Sequence, residues 1–324
     1  MKPTSFPYNT AFVVNPYAGK GRGAKTWKKI GSYLEKNRIA HEVYFTGDGG
    51  DGRKMAERAS RDGAELIVAV GGDGTLQEVA NGIDREKNIF GVIGAGTANG
   101  FRRSVAVPHN PMQSLKGLFE WPVLEMDLGM VNDKIFLNSV GMGYDAAVSK
   151  TATDDNYWLE GYPAYVSACL QHLYIKPRVV TFQLDNGQII TRETILIVVA
   201  NGKFYGGQLC IAPQAIVDDG FLDFQLVEDI DKFRMISMGL LAFFKAHTGI
   251  KGFHKTRVKE AVINCDDDTM LVQVDGETRD NIQFPLKFTV LEKALKIISP
   301  LNLHVEKQSE AERRQRLSRE FFGV

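Results

Sequence analysis

The fold of this chain is decided by one stretch, Glu65-Leu-Ile-Val-Ala-Val-Gly-Gly-Asp-Gly-Thr-Leu-Gln-Glu78. Its first half is an apolar, β-branched run ending at Val70, which is typical of a strand covered on both faces. Thr75 and Glu78 have the spacing of a capping box, so we expect a helix from Thr75 to Ile83. The glycines between strand and helix let the backbone approach an anion, which the free amides of a helix N-terminus attract. The stretch therefore predicts a phosphate site.

Asp73 is the unusual member of this turn, because a carboxylate does not bind phosphate by itself. Two roles explain it: contact with Mg²⁺ carried on a nucleotide, or removal of a proton from an attacking hydroxyl. The alternative is that the glycines only shape the turn. The complete Gly-Gly-Asp-Gly-Thr pattern between a strand and a helix favours the phosphate site.

Length and composition indicate an ordinary globular protein of about two domains, with 324 residues, 44% hydrophobic and 24% charged. The formal net charge of +0 gives no argument for nucleic-acid binding. Three scattered cysteines predict neither a disulfide framework nor a metal site, which favours a reducing, cytoplasmic location. The longest apolar runs are too short to span a bilayer, so we expect a soluble protein, with contact at a membrane surface left open.

The N-terminal part alternates strands and helices, which predicts a doubly wound parallel sheet of the α/β class. Short apolar strands end at Asn15, Thr46 and Gly71, and helices are expected from about Ala24 to Lys36 and from about Arg53 to Arg61. Ligands of such sheets bind beyond the carboxyl ends of the strands. The three strand ends therefore indicate one crevice.

Two further glycine loops fall at the same edge of the predicted sheet. Gly19-x-Gly21-x-x-Ala24 fits a loose dinucleotide fingerprint, so an NAD(P)-dependent Rossmann oxidoreductase stays as a minor alternative. A strand from Ile89 to Ile93 leads into Gly94-Ala-Gly-Thr-Ala-Asn-Gly-Phe101, and Arg102 and Arg103 follow in a position to face phosphate. A second glycine-threonine loop at this edge favours a nucleotide site over a plain turn.

From about Val123 the pattern changes to short strands joined by tight turns, which predicts a second, mostly antiparallel β domain. The predicted strands are Leu124 to Met130, Lys134 to Val140, Arg178 to Leu184, Gln188 to Val199, Phe221 to Val227, Ala261 to Asn264, Leu271 to Val274 and Leu286 to Val290. Two apolar helical stretches, Tyr162 to Tyr174 and Met235 to Phe244, interrupt them and favour core over lipid contact. The tail from Val305 to Val324 is predicted as a helix that packs back on the body.

Two acidic clusters in this second domain are candidates for metal binding or catalysis. Asp218-Asp219-Gly220 stands in a loop where carboxylate and carbonyl oxygens could hold Mg²⁺ or Ca²⁺. Val274-Asp275-Gly276-Glu277 ends a strand with two close carboxylates, which suit one base and one orienting group or metal ligand. For each cluster alone, a solvated turn is the simpler interpretation.

A set of motifs covers nearly the whole chain in order. They are Val14-Asn-Pro-Tyr-Ala-Gly-Lys-Gly21, Thr46, Gly71-Gly-Asp-Gly-Thr-Leu-Gln-Glu78, Gly94-Ala-Gly-Thr-Ala-Asn-Gly-Phe101, Asn138-Ser-Val-Gly-Met-Gly-Tyr-Asp-Ala146, Asn201-Gly-Lys-Phe-Tyr-Gly-Gly207, Ile211 to Asp223, and Val274-Asp-Gly-Glu277. In this order the chain resembles the diacylglycerol kinase catalytic family, in its soluble bacterial lipid kinase branch. The family usually has Asp after Asn99, where this chain has Gly100.

The resemblance implies an N-terminal nucleotide domain similar to NAD kinases and phosphofructokinases over residues 1–122, and a C-terminal antiparallel β-sandwich over residues 123–299. The tail, residues 300–324, would return to the first domain, and the active cleft would lie between the two domains. By motif, ATP would be bound by Asn15, Pro16, Tyr17, Ala18, Gly19, Thr46, Gly71, Gly72, Asp73, Gly74, Thr75, Leu76, Gln77, Glu78, Thr97 and Asn99.

Roles for the carboxylates also follow from the resemblance. Glu277 would be the proton acceptor, with Asp275 and Asp73 close to Mg²⁺ and the reacting groups. A structural Mg²⁺ would be held by the loop at Ile216, Asp219 and Phe221.

The implied reaction is transfer of the ATP γ-phosphate to a lipid hydroxyl at a membrane surface, with diacylglycerol, a sphingoid base, ceramide or phosphatidylglycerol as acceptor. Asp73 is the rival of Glu277 as base. An NAD kinase-like enzyme acting on a soluble nucleotide and a non-catalytic lipid or nucleotide sensor are the alternatives. The apolar segments of the second domain argue mildly against an NAD kinase-like enzyme. The intact carboxylates argue against a non-catalytic sensor. The sequence leaves the acceptor lipid and the oligomeric state, a homodimer included, open.

Overall fold

The computed structural model describes residues 5–47, 50–152, 162–185, 187–205, 209–243, 251–266, 270–278 and 283–303. Its helices are α1 (Ala18–Lys36), α2 (Gly52–Arg61), α3 (Asp73–Gly82), α4 (Gly100–Ser104), α5 (Pro111–Glu120), α6 (Tyr144–Ala152), α7 (Tyr162–Gln171) and α8 (Lys232–Phe243). Its strands are β1 (Thr10–Val14), β2 (Glu42–Phe45), β3 (Leu66–Gly71), β4 (Ile89–Gly94), β5 (Val123–Val131), β6 (Lys134–Phe136), β7 (Ser139–Gly143), β8 (Arg178–Leu184), β9 (Ile189–Ala200), β10 (Phe204–Tyr205), β11 (Leu209–Cys210), β12 (Leu222–Glu228), β13 (Phe253–Val258), β14 (Glu260–Cys265), β15 (Val272–Val274), β16 (Glu277–Thr278) and β17 (Leu286–Ile298). Over these ranges, no helix is long and apolar enough to cross a membrane.

The N-terminal half is a doubly wound parallel sheet, as the alternation of strands and helices predicts. Its strands lie in the order β2-β1-β3-β4 and are parallel to one another. Because helices cover both faces, β1, β3 and β4 are buried along their whole length, which explains their unbroken apolar sequences. Ile30 and Leu34 of α1 pack into the cluster on one face, and Ala56 of α2 and Val79 of α3 into the cluster on the other.

The C-terminal half is a mostly antiparallel β-sandwich, also as predicted. β9 is shared by its two layers, because its first part pairs with β8 and its second part pairs with β7 and β12. The interior contains Val140 and Ile197 from one layer and Phe182 and Phe288 from the other. Helices α6, α7 and α8 lie outside this interior, where Met235 of α8 joins a separate apolar cluster on the outer face of β9.

The last described strand, β17, joins the two halves. It pairs antiparallel with β5 along most of its length, with β14 through its first residues, and with β4 in parallel through Ile297 and Phe90. Leu295 and Ile297 are buried in the same apolar cluster as residues of α2 and α3. The predicted boundary between residues 122 and 123 falls where the chain enters β5, so the two halves share core across it. The division into two domains stays a prediction.

Several predicted elements differ from the structure. The predicted strand from Lys134 to Val140 is two strands, because the chain turns between β6 and β7, where the amides of Leu137 and Asn138 donate to Asp275. The sequence does not predict α4, α6 or β13, and β17 continues beyond Val290 to Ile298. The predicted tail helix lies outside the described residues.

Candidate active site

The carboxyl ends of the parallel strands converge at one edge of the N-terminal sheet. Asn15, Thr46 and Ala95 each follow a strand directly, and their amides donate to carbonyls of a neighbouring strand at 3.0, 2.9 and 2.7 Å. These bonds hold the loops after β1, β2, β3 and β4 beside one another. The crevice inferred from the three strand ends is therefore present as a geometric feature.

The glycine turn after β3 lies directly against the glycine loop after β4. A Cβ built on Gly72 would lie 3.2 Å from the Cα of Gly96, and a Cβ on Gly96 would overlap with the Cα of Gly72. Only two bare backbones can pass this closely, so glycine is required at this contact. The first amides of α3 stand at the same place, without partners inside their own helix.

Helix α3 begins at Asp73, two residues earlier than the capping-box pattern predicts. Gly72 occupies the N-cap and makes no side-chain capping bond, so the predicted cap at Thr75 is wrong. The Thr75 hydroxyl instead accepts a hydrogen bond from Asn15 Nδ2 at 3.0 Å. Glu78 Oε2 accepts from the amide of Gly52 at 3.0 Å and thereby supports the start of α2. Both side chains tie α3 to neighbouring loops.

The loop after β1 is a tight turn built on Asn15. Its side-chain oxygen accepts from the amides of Tyr17 and Ala18 at 3.0 and 3.1 Å. Gly19, Lys20 and Gly21 all have positive φ, at 59, 57 and 85°, so the regular part of α1 starts only after them, close to the predicted Ala24. This left-handed turn explains the two glycines of the motif, since other residues adopt such a φ at a cost.

Other predicted nucleotide residues surround the crevice. Tyr17 is 55% exposed, and the Pro16 carbonyl accepts from the amide of Ala24 at 3.0 Å. Thr97 Oγ1 accepts from Nη2 of Arg22 at 2.6 Å, which brings a guanidinium to the second glycine loop. The buried hydroxyl of Thr46 has no hydrogen-bond partner within the described part of the chain. Because buried hydroxyl groups are usually satisfied, this one is available to a ligand or water.

Some residues predicted to bind nucleotide face elsewhere. Leu76 is completely buried in the core, and the buried Gln77 donates to the carbonyl of Ile135 at 3.3 Å. Asn99 is buried and exchanges two hydrogen bonds with the backbone of Gly96, at 3.0 and 2.7 Å, so it shapes its own loop. Arg102, predicted to face phosphate, is buried and donates to the carbonyl of Val107.

The Asp73 carboxylate bridges α3 and α4. Oδ2 accepts from the amide of Gly100 at 3.0 Å, and Oδ1 accepts from the amide of Phe101 at 3.1 Å. Burial raises the pKa of Asp73, and these amides oppose the shift because they stabilise the carboxylate. As placed, Asp73 orients the second glycine loop. A Cβ on Gly100 would lie 3.0 Å from the carbonyl oxygen of Phe204. Gly100, where the family usually has Asp, therefore lies at a position with little space for a side chain.

Asp275 is bound by three consecutive amides of the turn before β7. Oδ2 accepts from Leu137 at 2.8 Å, and Oδ1 accepts from Asn138 at 2.8 Å and Ser139 at 3.1 Å. Burial raises the pKa of Asp275 to about 7 against the opposing effect of these bonds, and the negative charge of Asp73 contributes to the rise. The charge of Asp73 in the first half therefore acts on Asp275 in the second half.

Glu277 completes the cluster from the same turn. A Cβ built on Gly74 would overlap with Glu277 Oε1 and would lie 3.0 Å from Glu277 Cδ. The carboxylate therefore lies against the first turn of α3, and the residue is exposed, in contrast to Asp275. A carboxylate at this place is attracted by the helix N-terminus. The structure thus places Asp73, Asp275 and Glu277 where the two halves meet, and their catalytic roles stay a prediction.

The residues that support the Asp275 turn are not predicted from the sequence. The hydroxyl of Ser149 in α6 donates to the carbonyl of Gly276 at 2.8 Å, and Gln273 Oε1 accepts from the amide of Gly276 at 2.6 Å. Gln273 Nε2 also donates to Asp145 at 2.9 Å. The unpredicted helix α6 is therefore the element that holds the carboxylate turn, and no local sequence signal connects it to residues so far along the chain.

The predicted metal loop lies beside β5, where the amide of Gly220 donates to Asp127 at 2.7 Å. Asp219 pairs with Arg257 through Oδ2 and accepts from the amide of Phe221 at 3.2 Å through Oδ1, whereas Ile216 is buried. Because a guanidinium already neutralises Asp219, its side chain does not fit a metal ion as placed. Within the described part of the chain, no group of three or more His, Cys, Asp or Glu side chains is arranged to hold a metal ion. The site at Ile216, Asp219 and Phe221 stays a prediction.

Comparison with known families gives two matches that follow each other along the chain. Residues 9–131 match the diacylglycerol kinase catalytic domain, and residues 138–299 match the YegS C-terminal NAD kinase beta sandwich-like domain. The chain is 26% identical over 297 residues to a diacylglycerol kinase of Staphylococcus saprophyticus, covering 91% of this chain and 96% of the relative. It is 28% identical over 291 residues to a diacylglycerol kinase of Staphylococcus aureus, covering 89% and 91%.

Solved structures show the same fold. Two crystal structures from Bacillus anthracis strain Sterne align with TM-scores of 0.75 and 0.67 at 24% and 22% identity. Each alignment covers 90% of this chain, with 98% and 97% of the other chain, and the second of these proteins is described as a diacylglycerol kinase. Yeast NADH kinase complexed with NADH aligns with a TM-score of 0.50 at 10% identity, over 93% of this chain and 91% of the kinase.

Proposed function

The chain belongs to the diacylglycerol kinase catalytic domain family, and from this premise we propose that it transfers the γ-phosphate of ATP to a hydroxyl group of a lipid. The observation that carries the proposal is the contact between Glu277 and Gly74. Through it, an exposed carboxylate of the C-terminal half meets the helix start where a phosphate is expected to bind. The names of the Staphylococcus relatives make diacylglycerol the first acceptor to test.

Nucleotide binding is assigned to the crevice beyond the parallel strands. The amides at the start of α3 and the left-handed turn at Gly19 offer backbone donors for phosphate oxygens. Arg22, held at the second glycine loop by Thr97, adds positive charge, and the unpartnered hydroxyl of Thr46 adds a donor. The exposed Tyr17 ring is available for stacking on the base.

In the proposed reaction, the lipid hydroxyl attacks the γ-phosphorus and its proton passes to a carboxylate oxygen of Glu277. A new oxygen–phosphorus bond forms as the bond from the γ-phosphorus to the bridging oxygen breaks, and ADP leaves. Glu277 suits the role of base because it is exposed beside the helix start. Asp73 and Asp275 suit orienting roles, since backbone amides already bind both of their carboxylates.

Mg²⁺ is part of the proposal because the residues fit it. The negative charge of Asp73 contributes to the raised pKa of the buried Asp275, and a divalent cation relieves such repulsion. Magnesium is commonly bound by one or two carboxylates together with substrate phosphates, which requires no cage of three acidic side chains. Asp73 and Asp275 are the residues that would hold it. When bound with ATP, the ion supplies positive charge that offsets the charge of the phosphates.

The test is transfer of radiolabelled phosphate from ATP in the presence of Mg²⁺ to lipids in mixed micelles, with NAD and no-lipid controls. We expect label in a lipid, with diacylglycerol the first candidate. Label in NAD alone would replace the lipid acceptor by a nucleotide, and ATP binding without any transfer would favour a sensor. Absence of ATP binding would contradict the assignment of the glycine loops.

Glu277→Gln is the variant that tests the base. We expect it to fold and bind ATP as the unmodified chain does, and to lose roughly 10²- to 10⁴-fold in turnover, the usual contribution of a general base. Glu260→Gln, at another exposed glutamate of the same half, is the matched control and should keep full turnover. Turnover of Glu277→Gln close to that of the unmodified chain would move the base to Asp73.

A further inference from the structure

Helices α7 and α8 present an apolar outer surface that no described part of the chain covers. Val166, Leu170 and Tyr174 follow one side of α7 and its extension at helical spacing, and they are 40, 53 and 76% exposed. Phe233 and Ile236 of α8 are 86 and 39% exposed. We name these five side chains the α7/α8 patch. Exposed apolar groups that cluster in this way mark an interaction surface.

The composition of α7 separates this surface from an ordinary exposed helix. From Tyr162 to Ile175 the sequence contains no Asp, Glu, Lys or Arg. A helix exposed to water normally carries charged side chains on its outer face. Here the exposed residues include Val166, Leu170 and Tyr174 and no charged side chain, while Ala164 and Ala168 are buried on the inner side. This distribution fits a helix whose outer face contacts an apolar environment.

The two helices form one surface with positive charge at its edge. Nζ of Lys232, at the start of α8, lies 3.3 Å from the ring centroid of Tyr174. Leu173, which follows α7, and Met235 of α8 pack into the same apolar cluster beneath the patch. The α7 and α8 parts of the patch therefore lie on one core. Lys176 and Lys232 are exposed there, and Arg234 is paired with Asp231 at 3.1 Å. Apolar side chains with lysines beside them match a bilayer that contains anionic lipids.

The patch is connected to the candidate active site through α6. The Tyr144 hydroxyl of α6 donates to the carbonyl of Cys169 in α7 at 2.9 Å, and Val148 and Ala168 pack together. On its other side, α6 donates from Ser149 to the carbonyl of Gly276 at 2.8 Å. A membrane held against α7 would therefore lie one helix away from the turn that carries Glu277.

We propose that the α7/α8 patch docks this chain on the surface of a lipid bilayer, with Val166, Leu170, Tyr174, Phe233 and Ile236 inserted among the lipids. This inference rests on the proposed function, because it supplies the route by which a lipid acceptor reaches the catalytic turn. The lysines at the edge contact the headgroups and favour anionic lipids.

Vesicle sedimentation with the full chain tests the docking. The probes are vesicles of phosphatidylcholine alone and of phosphatidylcholine mixed with phosphatidylglycerol. We expect Leu170→Gln and Phe233→Gln each to lower the partition coefficient about tenfold on mixed vesicles, since each loses a large inserted apolar group. Ile189→Gln, at a residue 66% exposed at the start of β9, is the matched control and should leave it unchanged. Lys232→Gln should weaken binding about fivefold, and only to the vesicles with phosphatidylglycerol.

Turnover separates this inference from the proposed function. On long-chain diacylglycerol in vesicles, the patch variants should be slowed in proportion to their loss of binding, whereas on a dispersed short-chain diacylglycerol they should match the unmodified chain. Unchanged vesicle binding of both patch variants, or equal slowing on both acceptors, would overturn the docking. Self-association of the chain that the same substitutions abolish would also overturn the docking, because the patch would then be an interface between copies of the chain. Vesicle binding through the patch without turnover on either acceptor would contradict only the proposed function.

Discussion

Gly74 is a residue at which the first half of the molecule directly contacts the second. Its backbone is helical and does not require glycine, so the reason for glycine lies in its neighbour. Any side chain at this position occupies the space of the Glu277 carboxylate. The glycine is therefore explained by the second half of the chain, although the motif that contains it is entirely in the first.

We predict that Gly74→Ala lowers turnover at least tenfold without lowering stability. Alanine favours a helix by about 1 kcal/mol over glycine, but its Cβ displaces Glu277 from the helix start. The measurements are turnover with ATP and diacylglycerol and urea unfolding. Gly31→Ala in α1 is the matched control, because a Cβ there meets Trp27 at an ordinary 3.5 Å. Equal turnover of the two variants would contradict the placement of Glu277.

Asp275 gives a prediction for the dependence of stability on pH. The folded chain keeps the Asp275 proton up to a pKa of about 7, whereas the unfolded chain loses it near pH 4. Between these values the folded state binds more protons, so this residue's contribution to stability is complete below about pH 4 and is lost as pH rises through about 7. The free energy of unfolding, relative to that of Asp275→Asn, should therefore fall as pH increases over this interval.

Urea unfolding at a series of pH values measures this difference, with Asp133→Asn in an exposed turn as the control. When the free energy of unfolding of Asp275→Asn is subtracted from that of the unmodified chain at each pH, the titrations that both chains share cancel. A difference that stays constant with pH would mean that the pKa of Asp275 does not change on folding. A difference that rises with pH would mean that the three amides outweigh burial and lower this pKa.

At the scale of elements, α4 shows how far apart the determinants of one helix can be. Its N-cap, Asn99, makes no side-chain capping bond, and the amides of Gly100 and Phe101 are instead bound by Asp73 of α3. A carboxylate that binds the first amides of a helix performs the function of a cap. Asp73 is thus the first residue of α3 and also caps the N-terminus of α4.

The elements that the sequence predicts well are those whose signals are local. β1, β3 and β4 are unbroken apolar runs because helices cover both faces, and the loops that follow them contain the glycines that the strand ends require. Their convergence then follows from the general geometry of parallel sheets. For the same reason the position of Asp73 at this edge of the sheet is predictable from the sequence.

The elements that the sequence does not predict depend on distant partners. α4 is short and its capping group lies in another helix, so no periodic pattern marks it. The second half of β17, Leu-Glu-Lys-Ala-Leu-Lys from Leu291, has no strand alternation. It contains an irregularity at Lys293, where φ is 50°, and pairing with β5 resumes at Leu295. Asp275 and Glu277 are similar in sequence context, yet one is buried among amides and the other is exposed, and only the fold separates their roles.

At the scale of the whole molecule, β17 makes the N-terminal half dependent on residues from the far end of the chain. We predict that a fragment of residues 1–122 does not fold into a stable domain, because it lacks β17 beside β4 and loses Leu295 and Ile297 from its core. Cooperative unfolding of the purified fragment, followed by circular dichroism, is the measurement. The full chain, which we expect to unfold in a single transition, is the control. A cooperatively folded fragment would instead support two independent domains.

The position of β17 also has a consequence for synthesis on the ribosome. The strands of the nucleotide half are complete by Gly94, but their neighbour Ile297 is translated roughly 200 residues later, which takes on the order of ten seconds or more at typical rates. During that interval the edge of β4 and the apolar cluster beneath it lack their final covering strand. The nascent chain therefore exposes apolar surface throughout that interval, and the ATP binding that we propose should arise only when translation is nearly finished.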